Sequence, residues 1–374
     1  MIMVGHLDSP GVRLRPREAK REGAFVRIPA EAYGSPLLHT WLDRPLGTAG
    51  RTASGGIFQT PHAVGIMPSL ALHYDREANE KFAFDRATHL ALVVAENSRP
   101  DSGPDTPRGT PANIPRGTPR DTPSGTDGQA HVLDLITAGA DLNAADLSEG
   151  FLEISAVPTA RAEVLGGSAG LIAAPRIDNL AACHAIVTSL AAVSMPRNSI
   201  AFLFDHEEIG SRTPDGADSS LPISLLRRIV GALGGGEDEI ARTLARSFCV
   251  SIDATHGVHP SFPGKHSSGY DPVVGAGPAI KENAVYRYTT TPATARRFAR
   301  AARSVGVPVQ VFSHRSEQRA GSTVGPMVAS GLPVPSVDVG IPIWAMHSAV
   351  ETASIVDQGR MIDTISAFLG DETL

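Results

Sequence analysis

Residues 199–211 read SIAFLFDHEEIGS. The run Ser199–Asp205 has the length and apolar content of a buried strand. Directly after it come His206, Glu207 and Glu208. Two adjacent glutamates at the end of a buried strand are costly unless something positive compensates them. Adjacent side chains point in different directions, so one glutamate can ligate a metal while the other takes a proton from water. The alternative is a solvated loop whose charge caps a helix.

Outward from this stretch, strands and helices alternate. Asn179–Ser194 is expected as a helix, as are Ser219–Leu233 and Glu237–Arg246. The strand Ser247–Asp253 follows, then a helix capped by Thr291 and reaching about Ser304. Strands are expected at Val307–Phe312 and Val334–Val339, and a closing helix at Val350–Leu369. Such alternation predicts an α/β domain whose sheet is covered by helices on both faces. Residues 11–158 look richer in strands (Ala63–Pro68, His89–Ala95, Phe151–Val157) and are expected to form an inserted domain. The catalytic domain is then built from residues 1–10 and 159–374. Within the insert, residues 97–129 are dense in Pro, Gly and Thr, with the near-repeats DTPRGTP and IPRGTPRDTP. Too little apolar surface is available there to offset the entropy of ordering, so disorder is expected.

Ligand-type residues recur where strands should end, which is where sites form in α/β sheets. His6 and Asp8 share a face in extended chain, so His6 can bind a metal while Asp8 accepts its other ring N–H. Asp178 or Asn179 precedes a helix, and taken alone either is a helix cap. Asp253 follows a strand, and His347 lies beside an apolar run. His6, Asp178, Glu208, Asp253 and His347 together supply two imidazoles and three carboxylates. That set suits two divalent ions, zinc ahead of cobalt or manganese.

The composition fits an ordinary buried core and favours a small substrate. The 374 residues are 42% hydrophobic with a net charge of -6. No Lys/Arg cluster suggests a nucleic-acid or membrane face. The cysteines, Cys183 and Cys249, form no Cys-x-x-Cys pair, which points to a reducing compartment without a disulfide framework. No signal peptide or membrane span is visible, so a cytoplasmic location is expected.

Several blocks in one order resemble the aspartyl aminopeptidases, a di-zinc exopeptidase family. They are GHLDSPGVRLRP (5–16), HTWLDRPLGTAGR (39–51), APRIDNLAAC (174–183), FDHEEIGS (204–211), SIDATHGVHP (251–260), GPAIK (277–281), AGSTVGPMVAS (320–330) and AMHSAVE (345–351). The resemblance implies a zinc-exopeptidase catalytic fold and a β-rich dimerisation domain in the insert. It implies removal of N-terminal Asp or Glu from peptides by a homo-oligomer built from dimers. Asp178 would bridge two ions, His6 and Asp253 completing one site, Glu208 and His347 the other. Glu207 would be the general base and later the acid, and Asp8 would support His6. The Asp178–Asn179 peptide bond would be cis. Lys281 would meet the acidic side chain, His256 would contact substrate, and His39 would reach a neighbouring subunit's site. Family members usually carry a longer segment before the His-x-Asp block, so an N-terminal segment would be missing. Two alternatives accompany this reading: a di-metal aminopeptidase of other specificity, and a catalytically impaired homologue acting as a structural subunit.

Overall fold

The computed structural model describes residues 1–95, 126–142, 147, 152–167, 170–194 and 198–370. The expected disorder at 97–125 falls outside the described residues, whereas 126–129 open a helix, Thr126–Ile136. The chain divides into two compact units, Met1–Ser9 with Ala162–Leu374, and Pro10–Arg161.

The first unit is built on a six-stranded sheet. Its strands are β1 (Ile2–His6), β2 (Ile200–Phe204), β3 (Cys249–Ile252), β4 (Ala279–Lys281), β5 (Gln310–Phe312) and β6 (Ser336–Gly340). The order across the sheet is β2-β1-β3-β6-β4-β5. β1 runs parallel to both β2 and β3, and β3 parallel to β6, while β4 pairs antiparallel with β6. The sheet is therefore mixed, with four neighbouring parallel strands ending along one edge.

Period-2 alternation sends successive side chains to opposite faces. Met3 joins a core with Ile186, Phe298 and Phe368, while Ile2 and Val4 join another with Phe202, Leu226 and Val328. Helices α1 (Ile177–Ala192), α4 (Pro292–Ser304) and α6 (Ile355–Gly370) supply the first core. Helices α2 (Leu221–Ala232), α3 (Glu237–Arg246) and α5 (Val324–Gly331) supply the second. Each fully buried large side chain, such as Phe298, stabilises by roughly 1.5–3 kcal/mol relative to exposure. The protein thus has an α/β fold with helices on both faces of a mixed sheet. Thr291 caps α4 by accepting the Thr294 N–H, with Pro292 following it. That is the start signal read from the sequence.

A second, five-stranded sheet in this unit joins Thr255–His256, Pro342–Trp344, Glu351–Ser354, Leu171–Ala174 and Glu163–Leu165 in that order. It corrects one expectation. Residues 351–354 are strand rather than the first turn of the closing helix, because they pair antiparallel with Leu171–Ala174. Only at Ile355 does the helical period take over.

The second unit holds an antiparallel sheet of seven strands. Its longest partners are Phe25–Tyr33, Leu46–Thr52 and Leu152–Pro158, with Ala91–Ala95 along Phe25–Pro29. Val26, Ile28, Leu46, Leu92 and Ile154 are buried there. Residues 63–68, expected as a strand, make only isolated bridges at Gly65 and Ile66. His89 closes a helical turn capped by Asp85 instead of opening the strand at Ala91.

Candidate active site

The parallel arrangement delivers side chains to one edge. His6 is the last residue of β1, Glu207 and Glu208 follow β2, and Asp253 follows β3. Asp178 enters at the start of α1, where Asn179 Nδ2 donates to the Ile252 carbonyl at the end of β3 (3.0 Å). Ser9 Oγ donates to the Asp178 carbonyl (2.7 Å) and Arg176 to the Leu7 carbonyl (2.8 Å), tying the segment after β1 to the start of α1. His347 lies between Pro342–Trp344 and Glu351–Ser354. The peptide bond Asp178–Asn179 is cis.

The five candidate ligands converge. His6 Nε2 lies 3.6 Å from Asp178 Oδ1 and 3.5 Å from Asp253 Oδ1. His347 Nε2 lies 3.5 Å from Asp178 Oδ2 and 3.6 Å from Glu208 Oε2. Asp178 therefore turns one oxygen to each imidazole. Donors able to hold an ion form the groups His6–Asp178–Asp253 and Asp178–Glu208–His347, and a third, His6–Glu207–Glu208, spans the two. Two donors each bound about 2.1 Å from one tetrahedral ion lie roughly 3.4 Å apart, close to the spacings found. Asp178 Oδ1 is buried with no hydrogen-bond partner. An orphaned carboxylate oxygen in such a place is costly, and a cation would satisfy it. The donor set therefore fits a zinc-type centre.

The electrostatics point the same way. Burial, reinforced by neighbouring carboxylates, pushes Glu207 to about 7 and Glu208 to about 9. Burial works against a charge on His6, but Asp253 and Asp8 outweigh it and raise the imidazole well above its usual range. Burial also opposes the Asp253 charge, yet Lys281 and His6 hold that carboxyl below its usual range. The site gathers carboxyl groups whose mutual repulsion protonation or a bound cation relieves.

Asp8 does more than the sequence suggested. His6 Nδ1 lies 3.1 Å from the Asp8 carbonyl oxygen and 3.4 Å from its carboxylate. A proton held on Nδ1 leaves Nε2 facing the cluster. The same carboxylate accepts the backbone N–H of Glu207 on Oδ1 and of Glu208 on Oδ2, both at 3.1 Å. Asp8 thus orients three residues and acts through them. Non-glycine residues with left-handed backbone stand around the site: Arg176, His206, Ser211, Ala345 and His347. Such conformations persist only where the surroundings over-determine them, and they cluster at functional sites. Gly340 completes the packing, since a Cβ there would lie 1.8 Å from the Asp253 carbonyl oxygen.

Lys281 is 3% exposed, with Nζ 3.4 Å from Asp253 Oδ2 and 5.4 Å above the Tyr288 ring. It is not the solvated surface lysine that a lone lysine usually is. Burial opposes its charge, but Asp253 holds its pKa above the ordinary value. His256 packs edge-on against Phe312 and His314, and Tyr288 Oη lies 3.3 Å from His314 Nε2. Sequence reading passed over His314 and Tyr288, which carry no motif spacing. It also passed over Glu351, a buried carboxylate that accepts the Asp178 N–H (2.9 Å) and the His347 N–H (2.6 Å). Burial and the nearby Asp178 raise Glu351 to about 8. It closes the block AMHSAVE (345–351), but nothing in the sequence gives it a role of its own. His39 belongs to the other unit and is exposed there, in the turn Leu38–Trp41.

A mixed sheet whose parallel edge gathers imidazoles and carboxylates around a shared aspartate, with a buried glutamate alongside, defines a metal-dependent hydrolase. The chain belongs to the Peptidase M18 family, aminopeptidase I zinc metalloprotease, whose model matches residues 1–369. It is accordingly a metallo-aminopeptidase. It is 34% identical over 382 residues to a probable M18 family aminopeptidase 2 of Pseudomonas fluorescens (strain Pf0-1), covering 100% of this chain and 82% of that protein. Among solved structures it is similar to Ape4 in its complex with Nbr1, with a TM-score of 0.82 and 26% identity over 98% of this chain and 71% of that one. Its fold also matches the S. cerevisiae mApe1 dodecamer, with a TM-score of 0.72 and 23% identity over 98% of this chain and 78% of that one. Among the described residues, no helix is long and apolar enough to cross a membrane.

Proposed function

We propose that this aminopeptidase removes acidic residues, Asp or Glu, from peptide N-termini with a pair of divalent ions, zinc in first place. The observation that carries the reading is Asp178, whose two oxygens face His6 and His347 separately. One ion would be held by His6, Asp178 and Asp253, the other by Asp178, Glu208 and His347. When bound, such ions supply Lewis acidity to water and to a carbonyl oxygen.

The chain's own residues do the rest. Glu207 takes a proton from the attacking water and returns it to the leaving amine, and Asp8 fixes its backbone for that task. Burial of Glu207 keeps its proton affinity near neutrality, where a general base works best. Asp178, Glu208 and Asp253 attract the free α-amino group of the substrate, which favours action at a chain terminus. Lys281 neutralises the substrate's acidic side chain, and His256 meets the peptide from the wall it shares with His314. His39 serves a neighbouring subunit's site within a homo-oligomer built from dimers, which the mApe1 dodecamer makes reasonable. A cytoplasmic location belongs to the same reading, supported by two cysteines that form no Cys-x-x-Cys pair.

One observation favours a second reading, a di-metal aminopeptidase of other specificity. The Lys281 ammonium already has a partner in Asp253. The discriminating assay compares release of the first residue from matched peptides that begin with Asp, Glu, Ala or Leu. Preference for Asp and Glu, abolished by a chelator, supports the first reading. Faster release of Ala or Leu supports the second.

A further inference from the structure

We infer that Glu351 is a positioning residue that holds the Asp178–Glu208–His347 half of the centre in register, an inference that rests on the two-ion reading above. The strand pairing explains how it reaches both targets. Glu351 pairs across the sheet with Ala174, four residues before Asp178, and it lies four residues after His347. One side chain thereby meets two segments that are far apart in sequence.

Its contacts leave it little other purpose. Oε2 accepts the Asp178 N–H at 2.9 Å and Oε1 accepts the His347 N–H at 2.6 Å. The side chain is 1% exposed and belongs to none of the three donor groups. Both recipients have backbones that need restraint. His347 has φ 68, and Asp178 departs from helical geometry at φ -79, ψ 108 inside the first turn of α1. A left-handed non-glycine residue keeps its conformation only when its neighbours enforce it. Two backbone N–H groups bonded to the two oxygens of one buried side chain tie their segments together, and leaving either donor without its acceptor would be costly. Asp8 provides the same double grip on Glu207 and Glu208. The centre is therefore held by two buried carboxylates, each taking a pair of backbone amides. Asp8 serves the strand-end loops, and Glu351 serves the shared aspartate and the second histidine.

The role predicts asymmetry. Asp178 belongs to both donor groups, but His347 belongs only to the second. Loosening Glu351 must weaken the His347 half more than the His6 half. Glu351→Gln keeps the shape but turns an NH2 toward one of the two N–H donors, which removes half the grip.

The test is zinc titration of the metal-free protein against a competing chelator, for wild type, Glu351→Gln and His347→Ala. Wild type should bind in two steps. In Glu351→Gln the step that His347→Ala abolishes should weaken about 10–100-fold, the size typical of residues that orient metal ligands, while the other step shifts by less. Two unchanged steps overturn the role of Glu351, and equal weakening of both steps, a sign of general loosening, also overturns it. A single step in wild type sinks the two-ion reading itself. Amide hydrogen exchange in the metal-free wild type decides the matter in that case, or if Glu351→Gln does not fold. The Asp178 and His347 amides should both be protected, and rapid exchange at either one rejects the grip.

Discussion

Lys281 sets its ammonium 3.4 Å from Oδ2 of Asp253, with both side chains buried. The pair joins the wall of the proposed specificity pocket to a candidate ligand. Substituting the lysine should therefore register in two ways. Lys281→Met should lower the Asp-over-Ala ratio of kcat/KM by roughly 30-fold or more, the scale of about 2 kcal/mol or more for a desolvated charge pair. It should also weaken metal binding at the His6–Asp253 half. Kinetics on matched Asp- and Ala-initiated peptides check the first effect. An unchanged ratio would remove Lys281 from substrate recognition and leave it as the partner of Asp253.

Glu207→Gln should retain the metals and lose turnover. A general base contributes about 10²–10⁴-fold, so kcat should fall by that factor while metal content by elemental analysis stays at the wild-type level. Activity within a few-fold of wild type would assign proton transfer to another group.

Loading metal should expel protons near neutral pH. Glu208 and Glu351 stand at about 9 and 8, and Glu207 at about 7, against an ordinary 4.5. Because these folded-state values are raised, the folded metal-free protein holds protons that the unfolded chain has released. The stability contributed by these groups is fully present below about pH 4.5 and is lost as pH rises through about 7 to 9. Two measurements follow. The melting temperature of the metal-free protein should decline across that window, and zinc should offset the decline. Calorimetric zinc titrations at pH 7 in buffers of different ionisation enthalpy should report proton release, shrinking towards pH 10. Release independent of pH would contradict the assignment.

Gly340→Ala should act on Asp253 from behind. The added methyl would meet the Asp253 carbonyl oxygen at 1.8 Å, so the backbone must shift. Overpacking of this kind costs about 1–3 kcal/mol, which thermal unfolding would read. Zinc affinity should fall in parallel.

Five helices were legible because their periods and caps are local, whereas Thr126–Ile136 and Val324–Gly331 were not read. Glu237–Arg246 forms as read, and Thr291 caps α4 through chemistry confined to four residues. The strand ends that carry His6, Glu207, Glu208 and Asp253 were legible because a buried apolar run followed by acid leaves few other outcomes. What escaped depends on partners distant in the chain. Residues 351–354 alternate in a way compatible with helix or strand, and the outcome is set by Leu171–Ala174. Glu351 has no meaning until two remote amides arrive on its oxygens. Residues 63–68 follow Pro61 and end in Pro68, and without a full partner only Gly65 and Ile66 pair. The burial of Lys281 is equally invisible, since it follows from β4 lying beside β6.

The position of β1 has a consequence for biosynthesis. Ile2–His6 takes an interior place in its sheet, yet its neighbours begin at Ile200 and Cys249. On the ribosome this segment is made long before those neighbours and waits, its apolar side chains unsheltered, while the whole of Pro10–Arg161 is made and can collapse independently. Closing so long a loop adds little entropic penalty, because that penalty grows only logarithmically with length. Delay is the greater burden. A nascent chain carries His6 and Asp8 long before the other donors exist, so the centre can be assembled only late in translation.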